Sequence, residues 1–388
     1  ALGHDPEKKR ADRVASAQLG SMVACVRQGA ADDPREKGTL RMSTAPGEPE
    51  VIPPEAAAVL DTALLDAVAA ADGAVAIKGR SPGQIVWRRL RQDRLTMIAL
   101  GSSIFFVVLA AIAPLLAKLG WLNPDQTHPE LVQGLGSMPE GFMGGVSSSH
   151  WLGVEPGTGR DLLSRIVTGM TTSLTVALLA TIFSVVVGTV IGIVAGFAGG
   201  RVDWLLSRFM DLVLSFPSTL MLLSLQAVLV TQIASAMGQP ASAPPPKIAF
   251  MVLVLGFFGF PFFARIIRGQ VLSLREREFV EAARSLGARR GRIYFKELLP
   301  HLWAPLLVYT TLVLPANISA EAALGFLGVG LNPPTASLGA ILNDTVAYAL
   351  PDPAYFFFPG ATVFLLVLSF NLLGDGLRDA LDPKAGRQ

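Results

Sequence analysis

The sequence predicts an all-α, polytopic membrane protein with six transmembrane helices, and three observations carry that expectation. Of 388 residues, 51% are hydrophobic and 16% charged, with a mean hydropathy of +0.49. So much apolar surface does not fit one water-soluble core with a polar skin. Six apolar runs follow one another, each near the 17 to 25 residues that cross about 30 Å of hydrocarbon. Lys and Arg gather beside alternate ends of those runs, as they do around spanning helices.

Residues 1–80 are rich in Ala, Asp, Glu and Pro and contain no spanning run, so they read as a cytoplasmic, largely disordered tail. The chain starts at Ala1, and Met42-Ser43-Thr44 is a plausible start, which leaves open whether residues 1–41 are native sequence, a gene-model extension or a processed region. Within the tail, Pro54 to Ala71 has helical spacing and is expected to be weakly helical without a partner. The net charge is only +2, and the basic residues do not form a nucleic-acid patch. Cys25 is the single cysteine, so intrachain disulfides are excluded, and His4, His128, His150 and His301 lack metal-ligand spacing.

The six expected spans are Leu95 to Leu116, Leu174 to Phe197, Met210 to Ile233, Ile248 to Ile266, Val308 to Leu327 and Phe356 to Leu373. Buried backbone groups have no water to bond in lipid, so helices must carry these runs. The N-terminal entry segment and first span cover 81–118, a Gly-, Ser- and Pro-rich outer cap loop covers 119–170, and a five-helix core covers 171–380. A short tail, 381–388, follows. Basic residues from Lys78 to Arg94, at Arg201 and Arg208, from Arg265 to Lys296, and at Arg378, Lys384 and Arg387 fall on one side, against Arg160, Arg165 and Lys247 on the other. That asymmetry places both termini in the cytoplasm.

The longest loop on the basic side, 272–300, carries the main functional signal. Leu274, Val280, Ala283, Leu286, Ile293 and Leu298 fall near helical spacing and are surrounded by arginines. Gly287 allows a sharp turn after a first short helix, and Pro300 is expected to stop a second before the chain re-enters the membrane. Two short helices at an angle would project a knob.

Glu281-Ala282-Ala283, Gly287 six residues after Glu281, and Leu299-Pro300, with Pro300 thirteen residues after Gly287, resemble the EAA motif of binding-protein-dependent ABC importer permeases. A wider resemblance, over about 80–384, is to the C-type permeases of dipeptide, oligopeptide and nickel importers. Trp87-Arg88-Arg89-Leu90-Arg91 resembles that branch's entry to the first span. His150, Leu152-Gly153 and Gly159-Arg160-Asp161 resemble its outer-loop signature, from which Trp151 and Val154-Glu155 depart. Gly199 to Asp203, Arg208 to Asp211 and Phe216-Pro217 resemble its second cytoplasmic loop, implied to pack under the coupling segment. Leu324 to Gly330 and Asn371 to Asp379 extend the likeness.

The resemblance implies a MetI-like, type I ABC importer permease in a bacterial inner membrane, for di- or oligopeptides or, alternatively, nickel or another small solute. It implies partners: a second, B-type permease, two ATPase subunits that hold ATP and Mg, and an extracytoplasmic substrate-binding protein. Coupling to the ATPases would run through Glu281, Ala282, Ala283, Gly287, Leu299 and Pro300. This chain is expected to bind no cofactor or metal itself and to have no catalytic residue. No GxxxxGK[ST] occurs, and none of its eight Lys precedes Ser or Thr. A stand-alone secondary transporter would show inverted repeats or several intramembrane charges.

A second Glu-Ala-Ala, at 321–323, lies inside an apolar span. Glu321 is costly at membrane depth unless a polar partner or cavity receives it. Two readings stand: it faces the permease interface or the translocation path, or it makes a structural hydrogen bond to a neighbouring helix. Pro315 is expected to kink the same helix. His301, beside Pro300, reads as a helix-end residue.

Overall fold

A computed structural model describes residues 82–134, 137–141, 143–331 and 335–381. The tail, with Met42 and the Pro54 to Ala71 stretch, and residues 382–388 lie outside the described residues. The described chain is built of helices, with one two-stranded hairpin in the loop 119–161.

Helix α1 (Pro82–Gln92) is short and basic. Asp93, in extended backbone, separates it from α2 (Arg94–Lys118), the first of six helices long and apolar enough to cross a membrane. Asp93 caps α2: its carboxylate accepts the Leu95 and Thr96 N–H groups, two of the donors that a helix start leaves unpaired. Lys118 ends α2 and adds a positive charge at the end opposite Arg94.

In the loop 119–161, β1 (Val132–Gln133) pairs antiparallel with β2 (Met138–Pro139). Helix α3 (Leu162–Ala198) starts twelve residues before the expected Leu174, because Asp161 caps it and the first turns pack against the cap. Helix α4 (Gly200–Ser215) follows a turn at Gly199, whose φ is +65°.

The third expected span, Met210 to Ile233, is corrected. Phe216 is extended (φ −80°, ψ 133°) before Pro217, where the proline ring disfavours helix in its predecessor. The spanning helix is therefore α5 (Ser218–Met237), and Met210 belongs to α4. Helix α6 (Pro244–Leu274) is the fourth span.

Helices α3 and α6 run parallel and in close contact. Ser184, Gly188, Gly192 and Gly196 recur every four residues along one stripe of α3. A Cβ at Gly188 would meet the Phe260 carbonyl at 2.9 Å, one at Gly192 the Ala264 carbonyl at 2.7 Å, and one at Gly196 the Val271 side chain at 2.8 Å. Small residues therefore set how near the two backbones come.

After α7 (Glu278–Ser285), the chain forms α8 (Arg290–Arg292), a π-helical stretch Ile293–Leu298, a 3-10 turn Leu299–Leu302 and α9 (Trp303–Phe326). These form one continuous helical run from Arg290 to Phe326. Pro300 thus does not stop a separate helix, contrary to expectation. Its missing N–H falls where the ladder has already changed register, so the helix passes through. Pro315 likewise lies inside α9.

Helix α10 (Leu338–Thr345) and α11 (Pro353–Leu381) complete the described chain. The α9–α10 contact is close: Gly325 and Gly339 leave each other no room for a Cβ, which would lie 2.8 Å from the other's Cα. Polar pairs add direction between spans. Asn317 Nδ2 donates to Thr181 Oγ1 at 2.9 Å between α9 and α3, and Ser102 Oγ donates to Ser369 Oγ at 2.8 Å between α2 and α11.

Candidate functional site

The expected site residues occupy three separate places: a knob at one end of the α6–α9 region, the cap at the start of α3, and the α9–α10 contact.

The knob begins where α6 ends. Arg277 is extended, and Glu278 and Glu281 fall in the first turn of α7, where carboxylates suit the positive end of a helix. The helix ends in a two-bond turn: Gly287 N–H donates to Arg284 O at 2.9 Å and Ala288 N–H to Ala283 O at 3.0 Å. This closure needs a left-handed residue, supplied by Gly287 at φ +73°. The sharp turn expected at Gly287 is therefore present.

One face of the knob is anchored. Val280, Ile293, Leu298 and Leu302 are buried with Ile193, Phe263, Ile267 and Val271 of α3 and α6. Arg284 lies over the Phe197 ring at 4.6 Å, Phe197 meets Tyr294 edge-on, and Arg275 donates to the Gly196 carbonyl. His301 stacks on Phe279 at 4.4 Å and donates from Nδ1 to the Glu297 carbonyl, bracing α7 against the start of the span. The other face is open: Glu281 and Ala282 are exposed, and Leu286 is 88% exposed. Leu299 is half-buried in the anchoring cluster and Pro300 is exposed. The motif thus divides into a presenting part, Glu281 to Gly287, and a supporting part around Leu299.

The second loop is tied to the stem that leads into the knob. On α4, Asp203 accepts two hydrogen bonds from Arg268 of α6, at 2.5 and 2.8 Å, and Asp211 pairs with Arg265 of α6. The hydrogen bond from Arg268 holds the Asp203 carboxyl below its usual range. Both α4 carboxylates thus bind the α6 stem.

In the cap, the signature residues bind one another. Asp161 accepts the Ser164 N–H at 2.7 Å through one oxygen and bonds His150 Nδ1 at 2.9 Å through the other. The His150 ring meets His128 edge-on. Gly159 has φ +68°, and a Cβ there would lie 2.2 Å from the His128 carbonyl oxygen, so glycine is required twice over. Arg160 donates from Nε to Glu155 at 2.7 Å, and Arg165 pairs with the other Glu155 oxygen.

Glu155 is 1% and Arg165 0% exposed. Burial, and then the negative charge of Glu155, raise the Asp344 carboxyl on α10 above its usual range. Sequence reasoning treated Glu155 only as a departure from the signature. The available signal was its acidity within ten residues of two arginines.

Glu321 is 1% exposed. Its carboxyl lies beside the hydroxyls of Ser173 of α3 and Ser337, the N-cap of α10, and its Oε2 has no hydrogen-bond partner among the described residues. Ser173 Oγ also accepts the Leu338 N–H at 3.1 Å, and Ser337 Oγ the Ala340 N–H at 3.1 Å. The Glu321 carboxyl therefore sits near the positive end of α10, beside two hydroxyls.

Among the described residues no group of three or more His, Cys, Asp or Glu is arranged to hold a metal ion.

Residues 188–387 match the family model described as binding-protein-dependent transport system inner membrane component, and residues 81–132 match that of the N-terminal TM domain of oligopeptide transport permease C. The chain is 34% identical over 304 residues to the dipeptide transport system permease protein DppC of Alkalihalophilus pseudofirmus, covering 78% of this chain and 90% of that protein. It is 35% identical over 305 residues to the glutathione transport system permease protein GsiD of Shigella flexneri, covering 79% and 91%. Among solved structures, an inward-facing MetNI methionine ABC transporter matches at 20% identity, over 57% of this chain and 98% of that one, with a TM-score of 0.45.

Proposed function

This chain belongs to the family of binding-protein-dependent transport system inner membrane components, and from that premise we propose that it is the permease subunit of an ATP-driven importer of small peptides. It is a multi-pass membrane protein of a non-catalytic permease family. The peptide class is supported by the dipeptide and glutathione permeases it resembles.

In this reading, two ATPase subunits hydrolyse ATP with Mg, a second permease completes the path, and an extracytoplasmic binding protein delivers the peptide at the cap. The ends carrying α1, the knob and the close of α11 face the cytoplasm, as their basic residues favour. On the opposite side stand Lys118, Arg160, Arg165 and Lys247, of which Arg160 and Arg165 are already paired with Glu155.

The single observation that carries the coupling role is the exposed tip of the knob. Leu286 is almost wholly bare on a segment anchored by the buried Val280, Ile293 and Leu298. A large apolar side chain held in water by a rigid turn fits the cleft of a partner. ATP-driven closure of the partner ATPases would displace the tip, and the continuous helix from Arg290 to Phe326 would carry that displacement into the bundle.

The test is the complex co-purified with its ATPase and second permease and supplied with peptide-loaded binding protein. Leu286→Asp and Glu281→Arg are expected to assemble in the membrane with unchanged thermal stability. Both are expected to lose at least ten-fold of the peptide-stimulated ATP hydrolysis, a loss of about 1.4 kcal/mol in coupling. Unchanged stimulation in both would overturn the assignment.

A further inference from the structure

Helix α1 has no part in the mechanism above, yet its surface is unusual. Leu90 is buried and Val86 half-buried one turn away, which fixes the inner face of the helix. The opposite face presents Trp87, 45% exposed, with the Arg91 guanidinium over its ring at 4.9 Å. Arg88 and Arg91 on α1 and Arg94 at the start of α2 are all exposed. Asp93, the one acid among them, directs its carboxylate to the Leu95 and Thr96 N–H groups and to the Thr96 hydroxyl. Among the described residues no carboxylate lies within ion-pair distance of Arg88, Arg91 or Arg94.

Directly beyond Arg94, the exposed face of α2 turns apolar: Leu95, Ile98 and Phe105 are 58%, 72% and 59% exposed and lie along one side of the helix. With α2 as a span, this face is available to lipid. The three guanidiniums and the indole therefore stand where hydrocarbon gives way to headgroups. An indole favours that depth, and guanidinium forks fit phosphate oxygens in pairs.

From this continuity we infer that the Trp87–Arg88–Arg91–Arg94 face is a binding surface for anionic phospholipid of the membrane. A soluble polyanion would match the arginines but leave Leu95 and Ile98 in water; a phospholipid covers both, headgroup on the guanidiniums and chains along α2. The surface is tied to the end of the chain. Arg89 donates to the Ala380 carbonyl at 3.3 Å, and Gly376 of α11 lies so near Thr96 that a Cβ would meet its hydroxyl at 2.1 Å. Lipid held on α1 thus steadies the contact between the starts of the first two helices and the end of α11.

The experiment uses the full chain reconstituted in bilayers of phosphatidylcholine and phosphatidylglycerol in equal amounts, re-extracted in mild detergent, with retained lipid measured by mass spectrometry. The wild-type chain is expected to retain phosphatidylglycerol in excess. Arg88→Gln, Arg91→Gln and Arg94→Gln should each lower that excess, by about five-fold per charge removed. Lys at the same positions should restore most of it, because charge is kept while the fork is lost. Arg201→Gln with Arg208→Gln, on exposed α4, should leave it unchanged. These side chains are exposed, so the variants fold, and unaltered thermal unfolding checks that.

Equal retention of the two lipids, or a triple Gln variant that retains as much phosphatidylglycerol as the wild type, would overturn the proposal. So would displacement of the retained lipid by inorganic polyphosphate at matched ionic strength, because the arginines would then serve a water-soluble polyanion. The readout does not involve ATPase partners, so its failure is distinguishable from failure of the coupling role.

Discussion

In the cap, the polar groups are directed at one another: Asp161 to His150 and the start of α3, Glu155 to Arg160 and Arg165. In the knob, Glu281, Ala282 and Leu286 are exposed among the described residues. Both segments are recognisable by motif, and both are held by a glycine at positive φ. The difference lies in what remains after the chain has folded. A motif whose side chains are consumed internally fixes a shape, whereas one left in solvent on a rigid turn is available to a partner. Substitutions should therefore separate the two: cap changes should cost stability, and tip changes should cost coupling alone.

The largest expected effect is on the cap. Glu155→Ala removes a carboxylate that pairs with two arginines, of which Arg165 is fully buried. Removing one side of a buried pair is expected to cost about 3–5 kcal/mol. Thermal unfolding of the purified chain, and protease cleavage between 119 and 161, would report it. A variant as stable as the wild type would break the comparison at its root, since the cap would then not be held by its ions. Gly159→Ala comes next, at about 2–3 kcal/mol, from the positive φ and the collision with the His128 carbonyl. Gly287→Ala, with the same φ problem and no atom within 4 Å, should cost only the backbone term of about 1 kcal/mol. The same unfolding assay on the two Ala variants therefore measures crowding around each glycine.

Much of this was legible in the sequence. Six spans could be counted from apolar length alone, since lipid leaves a helix little alternative. The Gly287 turn was readable because few other residues accept its backbone. Two boundaries failed for local reasons. Phe216-Pro217 interrupts an apolar run whose hydropathy is indifferent to the break, and Pro300 is absorbed by a π-helical stretch that composition does not announce. The Ser184-Gly188-Gly192-Gly196 stripe was plainly periodic, yet its partner helix is fixed only by tertiary packing. The Glu155 cluster went unread because its members are separated by loop, and pairing across a loop follows from how Gly153 and Gly159 bend it. Within the knob, sequence named the motif but not its division into an exposed tip and a buried support around Leu299.

Between cap and tip stands the α4–α6 pair, Asp203 with Arg268, partly open to water. Asp203→Asn is expected to cost about 1 kcal/mol at neutral pH, discounted for that exposure. The Asp203 carboxyl is held below its ordinary value of 3.8, so its contribution is present above that value and is lost as pH falls through the depressed one. The stability difference between wild type and Asn should therefore be constant from pH 5 to 8 and shrink below about pH 4. A difference that grew on acidification would contradict the pair.

Glu321 decides whether the comparison has a third class, a residue buried like the cap but working like the tip. Its carboxyl lies beside the Ser173 and Ser337 hydroxyls at the start of α10. Glu321→Gln keeps shape and hydrogen-bonding capacity and removes only the capacity for charge. If the residue is structural, the amide oxygen accepts from the same hydroxyls, and the change should be within about 0.5 kcal/mol. Peptide uptake and stimulated ATP hydrolysis should then match the wild type. Glu321→Ala removes the acceptor as well, leaves both serines without it, and should destabilise by about 1–3 kcal/mol. A Gln variant of unchanged stability that lost uptake ten-fold would show that charge at this depth serves transport, and burial would no longer suffice to tell scaffold from mechanism in this chain.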